Sequence, residues 1–466
     1  MNDAQHRSHA AARARLRDQA LAIARLAVPV MFARAGLLVM AFVATVFVGH
    51  AGATELAYFA IASAPQLMML TLGIGLMLGT GVLTAHARGA GRLAECGLAW
   101  RLAMALGAAY GLGAAAVLGL GEGLLLLLGQ SPAMAAGGGR VLGMYALGMP
   151  VAILFVGASL FLEGIGRPRV GMVIVVAGNV VNLLACWLLV DGHFGFPALG
   201  AAGGALAFSA ARWFMVLAIV GYVLAAPSLR RYGVIGPIAG SWPLARRLLG
   251  IGAPMAIALG LESACFAMVA AFAGQLGELP VAAYQIATNV LALVFMLSVG
   301  IGTATAVQVA QANGRRDPAA ATLAGWAGLV LVLATTASAG LMIHAFAGDI
   351  AVAYTGDPAL LPVAAAGLGV VAAMVVVDGG QGVMISALRG VGDVVAPTVI
   401  YAVAFWGLGV PLAWAAGHRL DLGLDGLLWS LGLALGTATL ALAVRFRQLT
   451  RRLLAPVPST AAAKRG

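Results

Sequence analysis

Twelve long apolar runs, joined by short polar connections, constrain the fold of this chain more than any other feature of its sequence. Most of them exceed the ~20 residues that a helix needs to cross ~30 Å of hydrocarbon. The chain is 62% hydrophobic and only 9% charged, whereas soluble domains carry about 25% charged residues. We therefore predict an all-α polytopic membrane protein of about twelve transmembrane helices. The predicted spans are residues 21–49, 56–85, 97–128, 139–164, 169–190, 198–226, 247–273, 281–311, 319–346, 360–388, 394–416 and 424–444.

The arginines predict on which side of the membrane each connection lies. One alternate set of connections is rich in arginine, and the other set is mostly acidic. By the positive-inside rule the arginine-rich side is cytoplasmic, so we expect both termini in the cytoplasm of a bacterial cell with the protein in its inner membrane. A net charge of +11 could also suggest nucleic-acid binding. We exclude it, because the basic residues form small groups between apolar runs, which is a topology signal. These basic groups include Arg13, Arg15, Arg17, Arg88, Arg92, Arg167, Arg169, Arg230, Arg231, Arg315, Arg316, Arg389, Arg445 and Arg447.

An internal repeat divides the twelve spans into two sets of six. Pro29 and Gly75 recur as Pro254 and Gly300, each 225 residues later, and EGIGRP at 163–168 aligns with RGVGDV at 389–394. An even number of spans in each unit gives two lobes of the same topology, as in transporters with parallel repeats. The predicted divisions are a cytoplasmic segment 1–20, an N-lobe 21–226, a cytoplasmic linker 227–246, a C-lobe 247–446 and a cytoplasmic tail 447–466.

Two acidic residues lie well inside predicted spans, and both belong to the C-lobe. They are Glu262 in span 7 and Asp378 in span 10. A charge at bilayer depth is costly, so such residues usually serve a function. Two carboxylates brought together in a low dielectric cannot both stay ionised cheaply; they can take up a proton or bind Na+ through their oxygens. The alternative is a structural, hydrogen-bonded acid at either position.

Polar side chains elsewhere in the spans could line a substrate or cation site. Interhelical hydrogen bonding explains the amides equally well, and the aromatic side chain could be plain packing. Arg34 in span 1 and Arg212 in span 6 could pair with polar groups of the N-lobe or gate access, and Arg212 could instead extend to the interface. The remaining candidates are Gln285, Asn289, Phe295, Gln381, Asn179 and Asn182.

Several stretches together resemble the multidrug and toxic compound extrusion (MATE) family, and within it the NorM-type branch. They are the early-helix prolines Pro29 and Pro254, VATVFVGHAGATELAYFAIAS at 43–63, LEGIGRPR at 162–169, GNVVNLL at 178–184, GLESACF around Glu262, AAYQIATNVLALVFMLSVGIGTAT at 282–305 and VDGGQGVMISALRGVGD at 377–393. The resemblance covers nearly the whole chain. It implies a two-lobe antiporter in which Glu262 and Asp378 are the C-lobe cation-site acids. Phe295 stands where relatives often have tyrosine. Ala44 stands where relatives usually have an acid, and this difference favours ion coupling in the C-lobe over a proton switch in the N-lobe.

The sequence thus predicts a cation-coupled multidrug efflux antiporter that works by alternating access and is not an enzyme. The expected substrates are cationic or amphipathic small molecules, the coupling ion is Na+ or H+, and no cofactor or other metal is expected. Contacts with membrane lipid and a monomeric state are the working expectations. Two alternatives remain: a flippase for a lipid-linked saccharide or other amphipath, and an intramembrane aspartyl hydrolase that uses the two acids as a dyad.

Overall fold

The computed structural model describes residues 2–238 and 240–454, with the side chains of residues 2–15 left out. Residues 455–466 of the predicted cytoplasmic tail lie outside the described residues. Twelve described helices are long and apolar enough to cross a membrane. We number them α1 (Asn2–Ala51), α2 (Ala53–Gly89), α3 (Leu93–Gly119), α4 (Pro132–Gly164), α5 (Pro168–Leu189), α6 (Gly200–Ala225), α7 (Trp242–Gln275), α8 (Glu278–Gly314), α9 (Pro318–Ala345), α10 (Leu360–Val391), α11 (Val395–His418) and α12 (Gly423–Leu454).

The number and order of the helices confirm the predicted all-α membrane fold, and several boundaries differ from the prediction. α1 begins at Asn2 and not at residue 21, and α4 begins at Pro132 and not at residue 139. α12 runs to Leu454, past the predicted end of the span at residue 444 and into the predicted tail. Predicted span 3 ran to residue 128, but α3 ends at Gly119 and a separate short helix follows at Gly121–Leu127. The predicted linker ran to residue 246, but α7 begins at Trp242, with Pro243 in its first turn. Proline fits there because the first turn of a helix leaves its N–H groups unpaired in any case. Another short helix, Ala347–Tyr354, joins α9 to α10.

The repeat predicted from sequence is visible in the helix limits. α2 and α8 are each 37 residues long, and both ends of α8 lie 225 residues after those of α2. We call α1–α6 the N-lobe and α7–α12 the C-lobe. Most buried apolar residues of the C-lobe form one cluster, which also takes in Ile23 and Ala27 from the middle of α1. Two other large clusters lie in the N-lobe, and one of them extends to Leu229 and Tyr232 in the connection after α6.

The two lobes meet through α1, α2, α7 and α8. Because the helices alternate in direction, the connections after α2, α4, α6, α8 and α10 lie at the end where α1 begins. We call this the basic end of the bundle. Glycines bring the lobes close together there: a methyl group built on Gly79 would lie 2.7 Å from the Leu248 carbonyl oxygen, and one built on Gly89 would collide with the backbone of Gln311.

Candidate functional site

Glu262 of α7 and Asp378 of α10 meet in the C-lobe through one amide. The Gln381 Nε2 atom donates to Glu262 Oε1 at 2.8 Å and to Asp378 Oδ1 at 3.3 Å. Gln381 is fully buried and Asp378 is 4% exposed, while Glu262 is partly exposed. Gln381 follows Asp378 by three residues, so the helical period places both side chains on one face of α10. Three residues that the sequence singled out therefore form one cluster.

Unpartnered oxygen atoms lie beside these carboxylates. Gln381 Oε1 and Ser298 Oγ of α8 are both buried without a hydrogen-bond partner in the part of the chain that the structure describes. Ser298 packs against α10 within a turn of the acids, since a methyl group built on Gly379 would lie 3.1 Å from its Oγ. Buried polar atoms are nearly always paired with protein or with a small bound species, so these two oxygens are available as ligands.

Glycines on α10 let neighbouring helices approach the acids closely. A methyl group built on Gly382 would lie 3.5 Å from Phe295 Cε2, and one built on Gly379 would lie 2.7 Å from Thr336 Cγ2 of α9. Phe295 therefore packs against α10 at Gly382, the residue after Gln381. The run VDGGQG lies within the single helix α10, and its glycines permit this close packing.

An irregular segment of α11 covers α7 next to Glu262. Residues Ala402–Gly409 form a π-helix, a feature that often occurs at functional sites. The Trp406 indole donates to the Leu261 carbonyl at 3.0 Å, and the Cys265 thiol donates to the Phe405 carbonyl at 3.8 Å. These bonds tie α11 to the residues on either side of Glu262, so a shift of either helix changes the position of this carboxylate.

The arrangement has the chemistry of a small-cation site. Two carboxylates, one amide oxygen and one hydroxyl are hard oxygen donors of the kind that alkali and alkaline-earth cations prefer. A proton on either acid would also relieve the cost of two buried negative charges. Every one of these groups belongs to α7, α8 or α10, so a site built from them would lie in the C-lobe.

Gln285 and Asn289 form no side-chain hydrogen bond with the described residues of this cluster. Both lie on the half of α8 that is far from the basic end, and both side chains are exposed. Their spacing of four residues places them on one face of the helix. That they contact a substrate stays a prediction.

Asn179 and Asn182 of α5 bind the backbone of α1. Asn179 Nδ2 donates to the Gly36 carbonyl at 2.9 Å, and Asn182 Nδ2 donates to the Met40 carbonyl at 3.1 Å. This geometry is the interhelical hydrogen bonding that the sequence left open as an alternative. Both amide oxygens remain buried without a partner, so a role in lining a site stays a prediction.

Arg34 pairs with Glu163, an acid that the sequence does not mark as lying inside a span. Arg34 Nη2 lies 3.5 Å from Glu163 Oε1 on α4, and the two side chains are 14% and 7% exposed. Glu163 sits at the predicted end of span 4, which is why it was not counted among the intramembrane acids. The repeat offered a signal, since it aligns Glu163 with Arg389. Arg212 is 4% exposed and lies over the Phe208 ring at 4.6 Å, so it is buried and does not extend to an interface.

Known proteins resemble the chain over most of its length. The family model described as MatE matches residues 29–188 and 254–415, and the two matches begin at the repeated prolines. A probable multidrug resistance protein NorM of Caulobacter vibrioides is 36% identical over 92% of this chain and 91% of its own length. The multidrug resistance protein PmpM of Pseudomonas aeruginosa is 30% identical over 94% of both chains. Among solved structures, the eukaryotic MATE transporter AtDTX14 superposes with a TM-score of 0.86 at 16% identity, covering 94% of this chain and 99% of that one.

Proposed function

Because the chain belongs to the MatE family of multi-pass membrane transporters, we propose that it is a multidrug efflux antiporter of the bacterial inner membrane. It exports cationic or amphipathic compounds and takes up Na+ or H+ in exchange. Relatives that are named for multidrug resistance and match at 30–36% identity support the direction of transport and the breadth of substrate. The arginine-rich connections support cytoplasmic termini.

The cluster of Glu262, Gln381 and Asp378 is the observation that carries the ion-coupling proposal. An antiporter needs a site whose charge changes when the ion binds. Two carboxylates meet that need, because they accept hydrogen bonds from one amide. Asp378 is 4% exposed and Glu262 is partly exposed. Binding a cation there neutralises charge that is otherwise costly in a low dielectric. The unpartnered oxygens of Gln381 and Ser298 add two ligands that a proton would not use, which favours Na+.

Antiport follows if the ion and the drug prefer different conformations. The ion entering from outside neutralises the C-lobe acids and favours release of the drug outward; the drug binding from the cytoplasm favours the ion-free state. Each ligand shifts the equilibrium only by its difference in affinity for the two states. In this scheme Gln381 keeps both carboxylates oriented towards the same ion, and α11 senses occupancy through its bonds to α7.

The packing of the lobes supports a conformation that is closed at the basic end. Their close contacts through Gly75, Gly79 and Gly89 all lie in the half of α2 that leads to that end. With the basic end in the cytoplasm, this conformation faces outward. Separation of the lobes at the basic end then gives the inward-facing state.

The alternatives receive less support. Members of this family are transporters and not enzymes, which sets the hydrolase aside. A flippase of this fold would be expected to have cationic residues in its central cavity, and Arg34 and Arg212 are the basic residues that the sequence places deep in spans. Arg34 instead pairs with Glu163, and Arg212 is buried beside Phe208. Neither guanidinium is therefore accessible for binding an anionic head group in this conformation.

Efflux from proteoliposomes under separately imposed gradients tests the proposal. The purified protein is reconstituted with ethidium, and its efflux is followed after an opposing Na+ gradient or an opposing pH gradient is imposed alone. We expect the Na+ gradient to accelerate efflux over the rate without a gradient. Acceleration by the pH gradient alone would identify H+ as the coupling ion. Ethidium movement that responds to neither gradient would contradict antiport.

A further inference from the structure

Two buried charged side chains and one partly buried side chain lie near the junction of the lobes, towards the basic end and away from the proposed cation site. Arg34 and Glu163 belong to the N-lobe and form an ion pair. Arg389 belongs to α10 of the C-lobe and is 7% exposed. Glu163 and Arg389 line the same cavity between the lobes, together with Thr303 and Val307 of α8. Beside this cavity the Gln311 Nε2 atom of the C-lobe donates to the Gly164 carbonyl of the N-lobe at 3.2 Å.

None of the three charges is fully satisfied by the described residues. Arg34 Nε, Glu163 Oε2 and Arg389 Nε are buried and have no hydrogen-bond partner among residues 2–238 and 240–454. No carboxylate of the described chain lies within 4.0 Å of the Arg389 guanidinium, which donates only to Ser386 Oγ at 3.4 Å. Buried charges without full pairing are costly, so this arrangement calls for an explanation other than simple stabilisation of the fold.

Glu163 and Arg389 occupy equivalent positions in the two repeats, as the alignment of EGIGRP with RGVGDV shows. Each stands near the end of the fourth helix of its lobe, in α4 and α10. The repeat therefore places a negative and a positive charge opposite each other across the interface. Arg34 on α1 then cancels the charge of Glu163 within the N-lobe.

We propose that Arg34, Glu163 and Arg389 form a charge switch that sets how easily the lobes separate at the basic end. The N-lobe presents no net charge to Arg389, because Arg34 and Glu163 cancel. The attraction between Arg389 and the N-lobe is then weak. It arises only because Glu163 lines the shared cavity and Arg34 does not. A weak attraction holds this end closed without preventing it from opening. The switch rests on the alternating access proposed above.

The charge balance predicts how firmly the basic end closes in the wild type and in three single variants. Arg34→Gln leaves an N-lobe negative charge opposite Arg389 and should close the basic end more firmly than in the wild type. Arg389→Gln removes the attraction and should open it. Glu163→Gln leaves two positive charges facing each other and should open it most. We expect the ratio of closed to open populations to differ at least about fivefold between the extremes, the lower end of common coupling strengths.

Double electron–electron resonance between spin labels on the two lobes measures these populations. Ala94 in the first turn of α3 and Ala319 in the first turn of α9 are suitable label sites, because they are exposed, lie at the basic end and are equivalent in the repeat. The labels are placed in the full chain with its three native cysteines replaced by alanine. Wild type should show a short and a long distance in reconstituted nanodiscs.

Control variants separate the switch from unspecific effects of a lost charge. Arg445→Gln breaks an ion pair at the same end, Arg445 Nε to Asp393 Oδ2 at 2.7 Å, but both partners belong to the C-lobe, so the populations should remain those of the wild type. Arg34→Lys and Arg389→Lys keep the charge and should also remain close to it. Shifts in opposite directions for Arg34→Gln and Arg389→Gln cannot come from general misfolding.

The outcomes distinguish failure of the switch from failure of the proposed function. The switch is supported if the closed population decreases in the order Arg34→Gln, wild type, Arg389→Gln and Glu163→Gln. Two distances in wild type with populations that the variants leave unchanged, or shift in the same direction, would overturn it while alternating access stands. A single distance in wild type that neither Na+ nor ethidium changes would overturn alternating access and the switch together.

Discussion

Glu262→Gln is expected to abolish ion-coupled efflux while the protein folds and still binds drug. Glutamine has nearly the shape of glutamate, and its carbonyl oxygen can still accept the hydrogen bond from Gln381 Nε2 that Glu262 Oε1 accepts at 2.8 Å. What it lacks is the charge that an ion neutralises. The variant should therefore lose the difference in ion affinity between the two conformations, and gradient-driven ethidium efflux should fall at least about tenfold.

The measurement compares Glu262→Gln with Glu278→Gln in the proteoliposome assay. Glu278 is an exposed residue in the first turn of α8, so the same chemical change there should leave efflux close to the wild-type rate. Equilibrium binding of ethidium to the detergent-solubilised protein shows whether the drug site survives. Asp378→Asn should behave as Glu262→Gln does. If Glu262→Gln kept the full response to the driving gradient, the coupling site would lie elsewhere.

Gly89→Ala is expected to prevent closure of the basic end. Gly89 ends α2 and Gly314 ends α8, and the repeat makes them equivalent. A methyl group on Gly89 would collide with the Gln311 backbone, and one on Gly314 with the His86 carbonyl. A backbone carbonyl in a helix cannot turn aside as a flexible side chain can, so overpacking should cost the closed state about 1–3 kcal/mol or more. The closed population should fall about tenfold for each 1.4 kcal/mol.

Gly250→Ala provides the matched control for Gly89→Ala. Gly250 also lies in a helix near the basic end, but a methyl group there meets no atom within 4 Å. Alanine favours helix over glycine, so lost activity in Gly89→Ala would not come from a weaker helix. We expect Gly250→Ala to transport normally and Gly89→Ala to lose most efflux and to lengthen the distance between labels at 94 and 319. Normal efflux and an unchanged distance in Gly89→Ala would show that the lobes do not need to meet there.

The fold could be predicted well because each membrane helix is recognisable from its own residues. Each span must be long and apolar whatever its neighbours are. The internal repeat then indicates that the twelve spans form two lobes of six. The exact helix ends were less certain because the helices extend past the apolar region, as α7 does at Trp242. The break at Leu120 depends on packing, since Gly121 lies against Leu142 of α4, and such a contact leaves no periodic signal.

The site was only partly predictable, for physical reasons that differ between residues. Glu262 and Asp378 stood out because a charge within an apolar run is rare. Ser298 did not, because a hydroxyl is cheap to bury in a helix and carries no signal until its neighbours are known. Glu163 was missed because its depth depends on where α4 ends, and Arg34 had no explanation until that partner was found. The π-helix of α11 follows no sequence rule that we could have applied.

The most direct test of antiport is ion movement driven by the drug alone. Proteoliposomes contain equal Na+ concentration and equal pH on both sides, and ethidium is added to one side only. Fluorescent indicators for Na+ and for pH then follow the interior. The account predicts that one of the two ions moves against the direction of ethidium flow in the wild type, and that this movement disappears in Glu262→Gln and in Asp378→Asn. Ethidium flow without ion movement, or with an ion moving in the same direction, would contradict the proposal that Glu262 and Asp378 couple ion entry to drug export.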